Sequence, residues 1–374
     1  MKELTRRDWL RGTSSFAVAS LAYATTAQAQ SLTIKGYIPT AKNPIRMSSN
    51  ENPYGIPRSA QNAMIDGFKT SHLYGGGGRR ELIKIVADQN GVASENILVA
   101  SGSKEVLKVA ALIVALEGGK VMAANPTYHD LIRYSDWVGT DITWVDLDKR
   151  SMTTDLDAMR TAYTDDVKLI YLCNPNNPVP TILEKGKLQD FCLEMSKKCI
   201  VFIDEAYHEF VTDPNYESMV KIAATNDNII VSRTASKIHG FAGVRVGFAF
   251  STPATLTRIN RRVTGSVGTP AIYGALAAYQ DYEFMDFIKR KNEESLQEVY
   301  KVFEKHNVRH FKSNANFTFF ETGIEFSEVR DRFLRNGINI GRPFPPFITW
   351  ARVSMAKPED MAYFAEVYEK EFVN

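Results

Sequence analysis

The 374-residue chain contains only three cysteines. Three cannot build a disulfide framework, and Cys173 lies too far from Cys192 and Cys199 for a zinc-ligand spacing. Cys173 reads as a small buried apolar residue rather than a nucleophile. An excess of one charge is also missing: 45 basic residues face 43 acidic ones, a net of +2. Composition therefore offers no electrostatic footprint for nucleic acid or for an anionic membrane. No apolar run is long enough to stay in a bilayer as a spanning helix, and there is no internal repeat or low-complexity tract. Histidines number six; His306 and His310, four apart on an expected helix, read as a solvated pair because no third metal ligand accompanies them. What is present is ordinary globular material, 44% hydrophobic and 24% charged, enough for a large core divided between two domains.

The first thirty residues read as a leader. Thr5-Arg6-Arg7-Asp8-Trp9-Leu10-Arg11 precedes a weakly apolar run at 16–24 and then Ala27-Gln28-Ala29, the small-x-small form of a cleavage site. The segment resembles a twin-arginine export signal. The resemblance implies that residues 1–29 are removed and that the mature chain, from Gln30, is periplasmic or secreted after folding in the cytoplasm. Loss of the leader leaves 41 charges of each sign.

Short Val- and Ile-rich runs recur at 97–100, 121–124, 167–173, 200–204, 229–232 and 246–250. Stretches of helical spacing, such as 104–116 and 185–197, lie between several of them. Strands alternating with helices predict an α/β domain on a mostly parallel sheet flanked by helices, over about 70–282. A long charged helix at 283–306, a strand at 316–321 and a helix at 358–372 predict a smaller α+β domain at 283–374, to which the segment 30–69 contributes.

In parallel α/β sheets, ligands bind beyond the carboxyl ends of the strands. Gly102-Ser103-Lys104 follows the first run and opens a helix, which suits a phosphate, although a lone Gly-Ser is more often a plain N-cap. Thr234, Ser236 and Arg245 add hydroxyls and a guanidinium for the same group. Neither Gly240-Phe241-Ala242-Gly243 nor the glycines at 75–78 have dinucleotide-fingerprint spacing. Asp204 ends a strand expected to be buried on both faces, so it needs a helix cap or a cation. Lys237, alone, would be taken for an exposed residue; beside Asp204 and a phosphate cradle it reads as a Schiff-base lysine. Together these are the requirements of pyridoxal phosphate.

Ser232-Arg233-Thr234-Ala235-Ser236-Lys237 with Gly240, Ala242-Gly243 and Arg245 resembles the lysine motif of fold-type I class I/II aminotransferases, nearest the histidinol-phosphate aminotransferase branch. Asn50-Glu51-Asn52-Pro53-Tyr54-Gly55, Asn125-Pro126-Thr127-Tyr128, the run 173–178 and the run 204–207 follow that branch in order. The resemblance implies a pyridoxal 5'-phosphate enzyme transferring an amino group between an amino acid, or a histidinol-phosphate-like amine, and a 2-oxo acid. It implies that Lys237 binds the cofactor covalently and that Asp204 meets the ring nitrogen. Tyr207 and Asn177 would bond the ring hydroxyl, and Tyr128 would stack on the ring. Gly102, Ser103, Lys104, Thr234, Ser236 and Arg245 would surround the phosphate, with Tyr74 reaching it from the partner subunit of a homodimer. Asn50, Asn177 and Arg352 would face the substrate. Read from the residues alone, Tyr128 and Tyr207 remain core aromatics and Arg352 a strand-edge surface charge. The same motifs also suit a decarboxylase, lyase or racemase, or a non-catalytic cofactor-binding protein. Two positions depart from the family pattern: Val179-Pro180 replaces Thr-Gly, and His239 replaces an aromatic, either as a specificity residue or as packing.

Overall fold

Apolar residues of both parities fill the central strands, the signature of a sheet covered on its two faces. The structure, a computed structural model, describes residues 39–74 and 77–373; the expected leader lies outside them. The two-residue β1 (Ile45–Arg46) belongs to a smaller layer. The main sheet consists of β2 (Ile97–Ala100), β3 (Lys120–Asn125), β4 (Ile142–Asp146), β5 (Val167–Cys173), β6 (Ile200–Asp204), β7 (Ile229–Thr234) and β8 (Gly247–Phe250). Their spatial order is β2-β8-β7-β6-β5-β3-β4. All run parallel except β8, which is antiparallel to both β7 and β2.

Ile170, Leu172, Val201, Ile203, Ile229 and Val231 face one core, whereas Leu169, Tyr171, Ile200, Phe202 and Ile230 face the other. Burying each such side chain contributes about 1.5–3 kcal/mol, so a one-residue slip of register would reverse every one of them. The helix Ser103–Glu117 buries Val106, Leu107, Val109, Ala110, Ala111, Ile113 and Val114. That leaves its N-terminus anchored at the carboxyl edge of the sheet.

The smaller layer pairs β9 (Phe317–Glu321) antiparallel with β11 (Trp350–Ser354), and β1 parallel with β10 (Ile338–Asn339). The helix Tyr282–Lys305 starts where the Asp281 side chain accepts from the Phe284 amide at 3.0 Å. It turns Leu296, Val299 and Phe303 toward Phe320 and Phe364. The helix stops at Lys305, and Asn307 adopts φ +53°, so His306 and His310 do not share a helix face as expected. His306 meets Glu369, while His310 forms a bridge to Phe320 and stacks on Tyr300.

The segment expected to serve the small domain divides. β1 joins the smaller layer, but the helix Arg58–Gly67 packs on the helix Thr269–Ala278 beside the main sheet. Glycines permit that approach: a Cβ on Gly67 would lie 2.8 Å from Pro270 Cα, and one on Gly274 would lie 2.5 Å from Met64 Cγ. Among the described residues, no helix is long and apolar enough to cross a membrane.

Candidate active site

The carboxyl edge of the sheet gathers residues from six segments. Asp204 ends β6, and Lys237 follows β7 by three residues. Because β8 runs opposite to its neighbours, its first residue, Gly247, and the preceding Arg245 arrive at this same edge. A Cβ on Gly247 would lie 2.3 Å from the Ser103 amide, and one on Gly102 (φ +78°) would lie 2.1 Å from Arg245 Nη2. Only glycine fits at either position, and the two bring the helix start, the guanidinium and the strand together. They frame a cavity of about 220 Å³ lined by Ser103, Lys104, Tyr128, Asp204, Tyr207, Thr234, Ser236, Lys237 and Arg245. Of the residues expected at the cofactor, Gly102 lies behind this wall, Asn177 lines the adjoining cavity, and Tyr74 lines neither and is exposed.

Asp204 is 1% exposed. The register Asp204↔Ser232 puts Ser232 Oγ 3.0 Å from Oδ1, and Tyr171 Oη reaches Oδ2 at 3.3 Å. Burial pushes its pKa up to about 6, against the two hydrogen bonds and the charge of Lys237. The Lys237 amine donates to the carbonyls of Ser49 and Asn50 at 3.3 and 3.2 Å. Burial, then the Arg352 guanidinium, lower its pKa to about 8, so a useful fraction is the free amine near neutral pH. Thr234 Oγ1 donates to Ser236 Oγ at 2.8 Å, and Arg245 Nη1 donates to Ser236 Oγ at 3.3 Å.

A second cavity of about 490 Å³ shares Lys104, Tyr128, Tyr207 and Lys237 with the first. The Tyr207 hydroxyl accepts from Asn50 Nδ2 at 3.0 Å and Asn177 Nδ2 at 3.1 Å. Burial raises its pKa and keeps it a phenol. Arg352, 7% exposed on β11, donates from Nη1 to Asn177 Oδ1 at 2.7 Å and from Nη2 to the Ser48 carbonyl at 2.6 Å. Its Nε–H is buried without a partner. It is thus an interior charge pointed at the cavity, not a strand-edge surface charge. Asn50, at φ +53°, is locked to Ser354 through its amide N–H and its Oδ1, at 2.8 and 2.7 Å.

Sequence reasoning missed several participants. Arg342 donates to His129 Nδ1 at 2.7 Å at the mouth of the second cavity. Burial and the Arg342 charge hold that imidazole down at about 4, neutral at working pH. Asp130, Ser232, Tyr171 and Ser354 support site residues from behind. Asp130 lies two residues beyond Tyr128 and Ser354 two residues beyond Arg352; neither carries a periodic signal. Lys104 pairs with Asp130 at 2.8 Å. His239 lines neither cavity. It is fully buried, 3.1 Å from Glu209, and stacked on Tyr279 at 4.0 Å, so of the two readings packing prevails. Val179 is buried and the Pro180 carbonyl accepts from the Asn314 amide at 3.1 Å, which ties that loop to the smaller layer. Among the described residues no cluster of His, Cys, Asp or Glu suits a metal.

The residues fit pyridoxal phosphate. A buried carboxylate faces where a pyridinium nitrogen would need one, an amine of lowered pKa stands ready for an aldehyde, and glycine-framed hydroxyls and a guanidinium suit a phosphate. The family description Aminotransferase class I and II matches residues 42–367. The chain is 32% identical over 321 residues to histidinol-phosphate aminotransferase 1 of Bacillus thuringiensis, covering 82% of this chain and 86% of that one. The fold also matches the histidinol-phosphate aminotransferase of Sinorhizobium meliloti in complex with pyridoxal-5'-phosphate, with a TM-score of 0.80 at 20% identity over 94% of this chain and 99% of that one. It matches L-threonine-O-3-phosphate decarboxylase of Porphyromonas gingivalis as well, with a TM-score of 0.74 at 16% identity over 88% and 100%, so architecture by itself does not select the reaction. With site and relatives in agreement, the chain belongs to the aminotransferase class I and II family and is a pyridoxal-phosphate-dependent transaminase.

Proposed function

We propose that the amino donor is a small amine or amino acid carrying an anionic group for Arg352 and a second one for Arg342. The observation that carries this reading is the second cavity. Lys237, Lys104, Arg342 and Arg352 line it and no acidic side chain does. The cofactor supplies the carbonyl that accepts the amino group and the ring that takes up the electron pair. The chain does the rest. Arg352 orients the donor through its carboxylate, and the Lys237 amine moves the proton from the donor's α-carbon. Tyr207, held by Asn50 and Asn177, supplies a fixed hydroxyl, and Asp204 favours a protonated ring nitrogen.

The test is a donor panel with 2-oxoglutarate on the purified protein, following the new amino acid. Glutamate or aspartate, which carry two carboxylates, should exceed alanine and leucine by on the order of tenfold in kcat/KM, the value of one charged hydrogen bond. Arg342→Gln should erase most of that margin. Preference for neutral donors, or release of carbon dioxide instead of transfer, would sink the proposal.

We also infer export and dimerisation. Export rests on the arginine pair, apolar run and cleavage site of the leader. Dimerisation rests on the exposed side chains of Ile65, Phe68, Leu73 and Tyr74, an apolar strip that a second copy would cover. Protein recovered from the periplasm should begin near Gln30 by mass spectrometry and scatter light as a dimer; a retained leader or a monomer removes the respective inference.

A further inference from the structure

Four side chains are common to the cofactor-sized cavity and the donor cavity: Lys104, Tyr128, Tyr207 and Lys237. Tyr207 is held by two asparagines, and Lys237 rests on two backbone carbonyls. The remaining two are both held by one carboxylate. Asp130 is 5% exposed; its Oδ2 accepts from the Tyr128 hydroxyl and lies 2.8 Å from Lys104 Nζ, and its Oδ1 accepts from Arg133 at 2.9 Å. Lys104 and Tyr128 come from different segments, the first turn of the helix Ser103–Glu117 and the loop after β3. Nothing in their sequence spacing joins them.

We propose that Asp130 is a positioning residue of this transaminase, fixing the Tyr128 ring and the Lys104 ammonium together at the boundary of the two cavities. A tyrosine tethered at its hydroxyl cannot swing about χ1, so its ring face stays where a flat cofactor would lie against it. The same oxygen holds the Lys104 ammonium beside that tyrosine hydroxyl. Charge-assisted bonds of this kind are about twice as strong as neutral ones and directional, and a buried network holds its members to one arrangement. The inference rests on the assignment of pyridoxal phosphate.

Asp130 is also the first residue of the helix Asp130–Trp137, where a carboxylate stabilises a helix whatever lies nearby. The test separates the two roles. Cofactor dissociation constants and visible circular dichroism of the bound cofactor would be measured for wild type, Asp130→Asn, Tyr128→Phe and the double variant, alongside the melting temperature of each cofactor-free protein. We expect Asp130→Asn to weaken cofactor binding by on the order of tenfold and to reduce the circular dichroism band. The same change made in the Tyr128→Phe background should weaken it much less, because the tether is already gone. Asp130→Glu should recover part of the loss. A lowered melting temperature with unchanged cofactor affinity and spectrum would overturn the proposal, as would full additivity of the two substitutions. If Asp130→Asn does not fold, Lys104→Met and Tyr128→Phe replace it: less-than-additive losses in cofactor affinity support the shared anchor, and additive losses overturn it. Failure of every form, wild type included, to bind pyridoxal phosphate would instead strike the cofactor assignment.

Discussion

Replacing Lys237 by alanine is expected to abolish transamination, lowering turnover by on the order of 10⁴-fold or more. The size follows from two roles in one group. Its amine would be the nucleophile that meets the cofactor's aldehyde; the other lysine lining the cofactor-sized cavity is Lys104, and no cysteine lines it. Lys104 is ion-paired with Asp130, and burial raises the Cys173 thiol well above its ordinary range. The same amine, with a pKa lowered to about 8, would also be the base for the donor's α-proton. Borohydride treatment of the wild-type holoenzyme followed by peptide mass spectrometry should place the cofactor on the peptide bearing Lys237 and leave none attached in the variant. Cofactor found on Lys104, or a variant with substantial turnover, would remove Lys237 from this role.

Asp204→Asn should leave a folded, cofactor-binding protein whose turnover falls by on the order of 10²–10³, the usual cost of removing one preorganised charge from a reacting centre. A neutral amide cannot favour a protonated ring nitrogen, so electrons leaving the donor's α-carbon lose their sink. The cofactor-free protein offers a separate reading. The pKa of Asp204 is raised in the folded state from 3.8 to about 6, so the native protein binds the proton more tightly than the unfolded chain does. Its contribution is fully present below pH 4 and is lost as pH rises through about 6. The loss is on the order of 3 kcal/mol for a shift of about two units at a wholly buried group. Melting curves of the cofactor-free wild type and variant should therefore coincide near pH 3.5 and diverge above pH 6, with the asparagine form more stable. Adding pyridoxal phosphate at pH 7.5 should stabilise wild type more than the variant. Parallel melting curves across that range would show that Asp204 is not the strained carboxylate the geometry describes.

These two residues also show how far the chain can be read without coordinates. β5 and β6 were legible to the residue, because a strand buried on both faces is a continuous apolar run bounded by polar groups. Asp204 announced itself as the polar end of such a run. The strand Ile142–Asp146 was not anticipated, and Trp350–Ser354 was read only as a strand edge with Arg352 at the surface. The first is an edge strand with Trp144 exposed and Asp146 outward, so its pattern is diluted. The second carries a central arginine whose charge hides an otherwise buried run. The antiparallel course of β8 was equally invisible, since strand direction leaves no mark on composition.

Sequence by itself determined the α/β alternation, the polar ends of its strands, and which amine, carboxylate, hydroxyl and guanidinium groups stand at those ends. Those are local properties, set by which side chains can be buried and which cannot. Only the tertiary structure decided how they combine. Reversal of β8 brings Arg245 to the carboxyl edge, and Gly102 and Gly247 let that edge close without a Cβ. Arg352 is turned inward against Asn177, His239 is withdrawn to a packing position, and Asp130 is placed between Lys104 and Tyr128. Each depends on groups meeting across long stretches of chain, and a contact of that kind is fixed by packing, which no local pattern encodes.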